Sequence, residues 1–332
     1  MEIRCSQDES TFDELESAWD ELHARSHTAT VFNSVTFVRA WWRHFGVPGS
    51  LQVWTVWEDG ALAGVAPLYV TADAQALAVR RFVGGVDVAD YLDVLTAPGR
   101  EGDVVAVLLR AWGAGSGGLA LDLHDLRGAS PVRAALRRLA PEYGLRIDEA
   151  QEETCMAMAL PATFDEYLAG LDSKQRHEVR RKLRKAEREA QIDWYRVPPG
   201  DVAAEMEYFF DLHVKSDPLK AEFMDARMRA FFVDLATACA ERGWLELVFL
   251  RVDGGYAATY LCFVFRNEVQ LYNSGYDAAS YGAFSPGWVL LARHIEAAIA
   301  DGRERYDFMR GTEDYKARFG GKPEPVYVMR LR

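Results

Sequence analysis

The sequence predicts an α/β (α+β) protein that consists of two domains with similar folds. Its 332 residues exceed the length of one average domain, and 49% apolar residues with 12% aromatic residues suffice for sizeable cores. The order of helical and strand-like segments in the first half of the chain recurs in the second half, which indicates an internal duplication. We therefore predict an N-terminal domain at 1–150 and a C-terminal domain at 151–332.

The duplication is first visible in two helical segments of each half. The first half reads ELHARS at 21–26 and VRAWW at 38–42, and the second half reads DLHVKS at 211–216 and MRAFF at 228–232. The residue types agree in order and approximate spacing. Agreement of several successive elements is much harder to obtain by chance than agreement of one dipeptide.

A β-hairpin, a helix and a strand follow in both halves. β-forming residues flank Asp59-Gly60 and Asp253-Gly254, which predicts a two-residue hairpin turn at each dipeptide. Each half then has a Pro-Gly pair, an apolar-periodic helix and a strand that leads to an Arg-Gly pair. In the first half these are Pro98-Gly99, a helix ending near Trp112, strand 119–123 and Arg127-Gly128. In the second half they are Pro286-Gly287, a helix from Trp288 to about Ala300, strand 305–309 and Arg310-Gly311. We expect each domain to be a mixed, mostly antiparallel sheet flanked by helices.

Two glycine-containing segments differ in their context. The run 113–118 follows a helix and precedes a strand, so we interpret it as a linker and not as a phosphate loop. The segment YGAFSPG at 281–287 follows a strand and begins a helix, where free N–H groups and the positive end of the helix dipole favour a phosphate. The alternative is that Ser285 only caps the helix, with Pro286 in its first turn.

A basic segment at 173–190 contains eight Lys or Arg residues and three Glu residues, although the whole chain has a formal charge of −12. If the segment is helical, Val179, Leu183, Ala186 and Ala190 form a narrow apolar stripe and the charges cover the rest. One interpretation is a solvated face. The other is a surface for a phosphate-rich ligand, such as coenzyme A or the end of a tRNA.

Composition excludes several other classes of protein. The negative net charge disfavours a general affinity for DNA or anionic membranes, and no stretch of about 18 apolar residues predicts membrane insertion. The N-terminus lacks an apolar leader segment, so we expect a soluble cytoplasmic protein. Four widely spaced cysteines predict reduced core residues. The seven histidines show no metal-ligand spacing, no metal is expected, and no nucleophile elbow of a hydrolase occurs.

Motifs over nearly the whole chain resemble the GNAT acyltransferase superfamily, and within it the CelD-like acetyltransferase branch, which is related to the Fem-type aminoacyl transferases. The matching motifs are APL at 66–68, DYLD at 90–93, FDEYL at 164–168, LDSKQR at 171–176, Tyr276-Asp277, Ser285-Pro286-Gly287 and, most specifically, YDFMRGTEDYK at 306–316. The resemblance implies tandem GNAT-like domains and an N-acyltransferase. It also implies an amine acceptor, in some relatives during cell-envelope or exopolysaccharide assembly.

The donor that the resemblance implies is acetyl-CoA or another acyl-CoA. The usual GNAT pyrophosphate loop reads (Q/R)-x-x-G-x-(G/A), whereas this chain has YGAFSPG in its place. Because the related Fem enzymes use aminoacyl-tRNA, an aminoacyl-tRNA donor is the first alternative, and a non-catalytic scaffold protein is the second. The residues predicted to bind the donor are Ser285, Gly287, Arg180, Arg184 and Arg310.

Acyl transfer requires a deprotonated amine, donors to the carbonyl oxygen and a proton for the leaving group. The last part of the chain contains suitable groups: Asp307 or Glu313 as base, Tyr315 as leaving-group acid, and Arg310 or Lys316 to hold a phosphate or carboxylate. The first half shares the Asp and Arg-Gly elements but continues ASPVR at 129–133, without acid or phenol, so the prediction centres on Glu313, Tyr315 and Lys316. The predicted substrate-binding residues are Tyr272, Asn273, Tyr276, Asp277, Asp90 and Tyr91. The acceptor's identity and the oligomeric state do not follow from the sequence.

Overall fold

The computed structural model describes residues 1–114 and 119–332, which form two compact units. The first unit consists of Met1–Thr154 and Glu324–Arg332, and the second of Cys155–Pro323. The predicted domains at 1–150 and 151–332 differ from these units mainly in the last residues of the chain. Glu324–Arg332 belong to the first unit because the last strand pairs with a strand of that unit, Ala120–Arg127.

The first unit is built from short helices around a sheet. Its helices are α1 Thr11–Glu14, α2 Glu16–Arg25, α3 Val35–Phe45, α4 Gly85–Val88, α5 Glu101–Ala114 and α6 Pro131–Leu139. Its strands are β1 Glu2–Ser6, β2 Leu51–Glu58, β3 Ala61–Ala72, β4 Ala78–Phe82, β5 Leu95–Thr96 and β6 Ala120–Arg127, together with most of β7 Ile147–Ala159. The strand order β1-β2-β3-β4-β6 is followed by the last strand, and β4 and β6 pair in parallel.

The second unit contains the longer helices. These are α7 Phe164–Gly170, α8 Ser173–Glu189, α9 Val202–Ser216, α10 Pro218–Phe223, α11 Ala226–Glu241, α12 Ala278–Tyr281, α13 Pro286–Ala300 and α14 Asp314–Arg318. Its strands are β8 Ile192–Arg196, β9 Leu245–Val252, β10 Gly255–Phe265, β11 Glu268–Tyr276 and β12 Arg305–Arg310; the last strand of the chain is β13 Lys322–Leu331. The order is β8-β9-β10-β11-β12-β7, and β11 and β12 pair in parallel.

The structure confirms the fold class and the duplicated hairpins. Asp59-Gly60 joins β2 to β3 with φ values of 51° and 82°, and Asp253-Gly254 joins β9 to β10 with φ values of 51° and 83°. Two successive positive φ values are the geometry that favours Asp-Gly in hairpins. Each unit also has a parallel pair at the equivalent place in its strand order, so the described strands of the two units share one topology.

The predicted basic helix is α8, and three of the four residues of its predicted apolar stripe are buried, whereas Ala190 follows the helix and is half-buried. The Asp172 carboxylate caps the helix by accepting a hydrogen bond from the Gln175 N–H, and Val179, Leu183 and Ala186 are buried. They pack in the core of the second unit. The stripe therefore docks the helix and leaves its charged residues on the other faces.

Two sequence expectations need correction or fall outside the description. Three cysteines are buried, but Cys5 is exposed because it lies on β1. Of the glycine run 113–118, which we interpreted as a linker, residues 115–118 lie outside the described residues. Gly113 lies near the end of α5. None of the helices in the described parts of the chain is long and apolar enough to cross a membrane.

Gly275 is a position where α9 lies directly against β11. A Cβ atom there would lie 2.5 Å from the carbonyl carbon of Leu212 and 2.7 Å from the Cα of His213. We expect Gly275→Ala to lower the free energy of unfolding by about 1–3 kcal/mol, because backbone atoms cannot move aside as a side chain can. Gly170→Ala is the control, since a Cβ there has no neighbour within 4 Å. Chemical denaturation of both variants checks this, and equal stability would contradict it.

Candidate active site

The parallel strands β11 and β12 separate after a short paired region. Their ladder covers Glu268–Gln270 and Arg305–Asp307 only, although β11 continues to Tyr276. Beyond this region, Arg310 of β12 pairs with Cys155 of β7. Ligands in sheets of this kind bind where neighbouring strands diverge at their carboxyl ends. We therefore expect a ligand site at the end of β11.

A cavity of about 300 Å³ lies at this divergence. Its walls come from β10, β11, α13 and α14, and they include Tyr260, Ser274, Tyr276, Ser285, Gly287, Leu291, Tyr315 and Phe319. Four residues that the sequence singled out, Tyr276, Ser285, Gly287 and Tyr315, thus line one cavity. They are up to 39 residues apart in the chain, from 276 to 315.

The helix α13 begins at this cavity with an unusual N-terminus. Ser285 has a positive φ of 52° and its side chain makes no capping hydrogen bond. Pro286 has no N–H, and the N–H groups of Trp288 and Val289 donate to the Ser285 carbonyl oxygen. This leaves the Gly287 N–H as the free donor of the turn among the described residues. The helix therefore offers a hydroxyl and an N–H at its positive end.

Gly287 also provides space. A Cβ atom at this position would have Tyr276 Cδ1 as its nearest neighbour, at 3.9 Å, across the cavity. An alanine thus fits the fold but reduces the space beside the free N–H. This is the pattern expected where a backbone must approach a phosphate closely.

Tyr315 lies on α14, in the wall of the cavity. Its ring is partly buried and packs edge-on near Phe308, with ring centroids 6.5 Å apart. Burial raises the pKa of Tyr315 above the ordinary value for a phenol, and the nearby Glu313 carboxylate adds to this effect. The hydroxyl therefore keeps its proton at neutral pH, as a proton donor must.

Lys316 organises the turn between β12 and α14. Its side chain is buried and its Nζ donates to the carbonyl oxygen of Arg310 and lies 3.3 Å from those of Met309 and Gly311. The same Nζ lies 2.9 Å from Glu313 Oε2. Met309 and Gly311 have positive φ values of 60° and 105°. The ammonium group thus holds a turn that the backbone alone does not favour.

The structure places Asp307 away from the cavity lining. Its side chain is fully buried, and its Oδ1 accepts a hydrogen bond of 2.7 Å from the Met309 N–H. This bond lies within the register shift of β12 between Asp307 and Arg310. The carboxylate therefore supports the strand end and is not exposed to a substrate.

Two residues near the end of β11 are occupied by contacts within the fold. Tyr272 forms the bulge of β11 and stacks on Phe232, with ring centroids 5.7 Å apart. The Asp277 carboxylate caps α12 through the Ser280 N–H at 2.8 Å. Asn273 continues the ladder opposite Leu261. Tyr276 differs, because the residue is 39% exposed and borders the cavity.

Residues 173–317 match the family model of the acetyltransferase (GNAT) domain. The second unit contains a GNAT domain. The match covers the separated strands, α13 and Tyr315, and all of the residues that line the cavity except Phe319. No curated protein sequence matches the chain significantly.

Solved structures extend this likeness to the fold of both units. FemX is 13% identical with a TM-score of 0.66, covering 99% of this chain and 97% of that one. The C-terminal domain of a putative lysylphosphatidylglycerol synthetase from Agrobacterium fabrum is 13% identical with a TM-score of 0.61, covering 97% and 92%. A tandem GNAT protein from the clavulanic acid biosynthesis pathway is 14% identical with a TM-score of 0.51, covering 100% and 98%. The chain has the tandem GNAT fold.

In the first unit, ionic contacts join the parallel strands at the equivalent place of the GNAT-like sheet, beside a cavity of about 310 Å³. Its parallel strands pair at Val79–Arg80 with Ala120–Leu121, and the next residues, Arg81 and Asp122, form an ion pair of 2.6 Å across the two strands. Asp122 also accepts from Arg330, at 3.0 Å. Ionic contacts therefore join the strands where those of the GNAT domain separate.

Two predicted substrate-binding residues lie in the first unit. Tyr91 is only 2% exposed, and the Arg127 guanidinium covers its ring at 3.8 Å from the centroid. Asp90 is half-buried beside it. Tyr91 thus belongs to the core of this unit, and its ring has no open face for a substrate.

Asp93, which follows these residues, gives the first unit a pH-dependent stability. Burial raises its pKa to about 7, although Ser130 Oγ and the Val94 N–H donate to its carboxylate. Because the pKa of Asp93 is higher in the folded chain than in the unfolded chain, its protonation stabilises the fold. This contribution is fully present below pH 4 and is lost as the pH rises through 7. We expect wild type to lose up to about 4 kcal/mol between pH 4 and 8 through this group. Asp93→Asn should remove that part of the loss in denaturation curves, and an unchanged pH dependence would contradict it.

The basic helix α8 contacts α13 and the turn that precedes it through residues that the sequence did not single out. Lys185 Nζ donates to the Ala283 carbonyl oxygen at 2.8 Å, and Lys182 Nζ lies 3.8 Å from the centre of the Trp288 ring. The predicted Arg184 instead donates to the Arg180 carbonyl oxygen, and Arg180 lies 3.9 Å from Asp165. Their closeness to the buried stripe could have indicated this contact, since Lys182 and Lys185 flank Leu183 and Ala186.

Lys220 of α10 was also missed. Its Nζ donates to the Ser274 carbonyl oxygen at 2.6 Å, and Ser274 lines the cavity. Burial lowers the pKa of Lys220. No group of His, Cys, Asp or Glu side chains in residues 1–114 and 119–332 is arranged to hold a metal ion.

Proposed function

We propose that the second unit transfers an acyl group from acetyl-CoA or another acyl-CoA to an amine. The observation that carries the proposal is the cavity at the divergence of β11 and β12, bounded by the N-terminus of α13 and by Tyr315. An elongated donor with a phosphate at one end and a thioester inside fits these groups. Ser285 and the Gly287 N–H would hold the phosphate, and Arg310 is the predicted additional cation.

The reaction requires a proton donor, a proton acceptor and a group that positions them. The amine nitrogen attacks the carbonyl carbon, the C–S bond breaks, and Tyr315 gives its proton to the leaving sulfur. Glu313, whose side chain is 58% exposed, is our candidate to take a proton from the attacking amine. The Lys316 ammonium favours negative charge nearby and fixes the turn that carries Glu313 and Tyr315. Asp307 has no role in this scheme.

Binding of acetyl-CoA tests the donor. We expect acetyl-CoA to raise the melting temperature of wild type, because it binds the folded state only. Gly287→Ala should weaken the affinity about tenfold in calorimetry, since the Cβ occupies the space beside the free N–H, while the melting temperature of the free protein stays the same. A wild-type protein that acetyl-CoA neither stabilises nor binds would contradict the proposed donor.

An aminoacyl-tRNA donor is the second candidate. It is supported by the likeness in fold to FemX and by the exposed basic face of α8. This donor predicts tRNA binding that weakens steeply with salt. Titration of tRNA into the full chain at 50 and 200 mM salt distinguishes the two donors. Failure of both donors would favour the scaffold protein.

The acceptor is proposed as an amine of a small molecule or of an envelope precursor. A role in cell-envelope or exopolysaccharide metabolism and a cytoplasmic location stay predictions from the sequence. A panel of primary amines, assayed for thiol release from acetyl-CoA, is the direct way to identify the acceptor.

A further inference from the structure

Lys220 of α10 lies at the edge of β11 that β12 leaves unpaired. The ladder between β11 and β12 ends at Gln270, and Ser274 lies beyond it. The Asp277 N–H donates to the Ala257 carbonyl oxygen of β10, and the direction of these groups alternates along a strand, so the Ser274 carbonyl points away from β10. Its oxygen accepts a hydrogen bond of 2.6 Å from Lys220 Nζ. The ammonium group thus lies where the two strands diverge.

The ammonium group reaches this place from the face of β11 that α9 covers. Gly275 faces α9, since a Cβ atom there would contact the backbone of His213, whereas Tyr276 faces Gly287 at the start of α13. Successive residues of a strand face opposite sides. Because α10 follows α9 directly and packs against it, Lys220 comes from the side opposite to α13. A molecule at Lys220 and a donor at α13 would thus meet between the strands.

Lys220 differs from the other lysines that the fold partly or fully buries. Lys182, Lys185 and Lys316 each have a carboxylate oxygen within 4 Å. In residues 1–114 and 119–332, no carboxylate oxygen lies this close to the Lys220 ammonium, which keeps two hydrogens besides the one that it gives to Ser274. Removing an ammonium group from water without a counter-ion costs free energy. An anion from outside the chain would supply the missing charge.

The ammonium group also lies within electrostatic range of the turn that carries the proposed base. Burial lowers the pKa of Lys220. The Asp217 and Glu313 carboxylates act against this effect, and the Lys316 ammonium adds to it. Asp217 caps α10 through the Leu219 N–H at 2.8 Å. Glu313 is paired with Lys316 at 2.9 Å. Both carboxylates are thus engaged elsewhere, beside the place where the amine is proposed to attack.

We propose that Lys220 binds a carboxylate of the acceptor, so that the enzyme acylates amines that also carry an acid, as amino acids do. The inference rests on the proposed acyl transfer and specifies its acceptor. The carboxylate would accept the two remaining hydrogens of the ammonium group, and the amine of the same molecule would face Glu313. Charge-assisted hydrogen bonds of this kind are about twice as strong as neutral ones. The molecule could be a free amino acid or a peptide that ends in one.

The test compares acceptors that differ in the carboxylate alone. L-Alanine, L-leucine, L-glutamate and L-lysine are each paired with the corresponding α-amide, and a third set consists of their glycyl dipeptides. Thiol release from acetyl-CoA, with the enzyme-free rate subtracted, gives kcat/KM for each acceptor. The proteins are wild type, Lys220→Met, Lys220→Arg and, as a control for the same loss of charge, Lys174→Met, where the lysine is exposed at the start of α8.

Lys220→Met should lower kcat/KM for the acids at least about tenfold more than for the amides. Lys220→Arg should retain part of the preference because it keeps the charge, and Lys174→Met should match wild type. A preference for the dipeptides over the amino acids would assign the carboxylate to the end of a peptide. Equal losses for acids and amides would overturn the inference, as would a wild type that prefers the amides.

A melting curve separates this role from a structural one. The Ser274 oxygen keeps a donor in Lys220→Met, because His213 Nδ1 lies 3.0 Å from it, and the substitution removes an unpaired charge. The variant should therefore melt no lower than wild type. A lower melting temperature would identify Lys220 as a structural anchor and overturn the inference. A wild type that binds acetyl-CoA in calorimetry but accepts no carboxylate overturns this inference alone, whereas one that does not bind acetyl-CoA contradicts the proposed donor as well.

Discussion

Tyr315→Phe should slow acyl transfer by about 10² to 10⁴-fold while acetyl-CoA still binds with nearly wild-type affinity. The substitution removes only the hydroxyl, and the ring keeps its contacts with Phe308 and the cavity wall. Because burial holds the phenol in its protonated form, the variant lacks the proton for the leaving sulfur. Thiol release from acetyl-CoA, with a primary amine that the wild-type protein accepts and with the enzyme-free rate subtracted, measures the loss.

The control for this variant is Tyr208→Phe, which removes the hydroxyl of an exposed tyrosine that is not among the residues lining the cavity. We expect it to retain activity within a few-fold of wild type. If both tyrosine variants keep full activity, Tyr315 is not the acid. If Tyr315→Phe also loses acetyl-CoA binding, the hydroxyl contributes to binding and the assignment of a proton donor is wrong.

Lys316→Met should lower the free energy of unfolding by about 3 kcal/mol and abolish measurable transfer. Methionine matches the length of the lysine stem but leaves the carbonyl oxygens of Met309, Arg310 and Gly311 without their shared donor. The turn would then lose its fixed form, and Tyr315 with it. Denaturation curves and the thiol-release assay measure the two effects.

Lys316→Arg separates charge from shape. Arginine keeps the positive charge, but its planar group does not fit a site where a compact ammonium meets several carbonyl oxygens. We expect intermediate stability and low activity. Wild-type stability of Lys316→Met would contradict the structural role, and wild-type activity of a stable variant would contradict its contribution to the site.

The sequence was sufficient for the parts of the fold that depend on local chemistry. Asp-Gly at 59–60 and 253–254 predicts hairpins because few residue pairs accept two positive φ values, and both hairpins are present. The stripe of Val179, Leu183 and Ala186 predicts how α8 docks, since apolar residues at helical spacing must be buried together.

The sequence was less informative about which polar groups face the cavity. Asp307, Tyr272 and Asp277 stand beside functional motifs, yet each is used by a bulge, a ring stack or a helix cap. Lys182 and Lys185 looked equivalent to the other basic residues of α8. Orientation depends on long-range packing, which the order of residues in one chain does not reveal.

The membership of β13 in the first unit has a consequence for biosynthesis. Leu121 on β6 pairs with Leu331, 210 positions later, so the first unit obtains a full set of strands only after the second has been synthesised. During synthesis on the ribosome, the edge of β6 that pairs with β13 would stay unpaired until β13 has been made. An unpaired edge is prone to wrong pairing. Contacts this distant in sequence also slow folding. The first half therefore depends on the last residues to complete its own sheet, and cutting the chain near residue 150 would leave that sheet open.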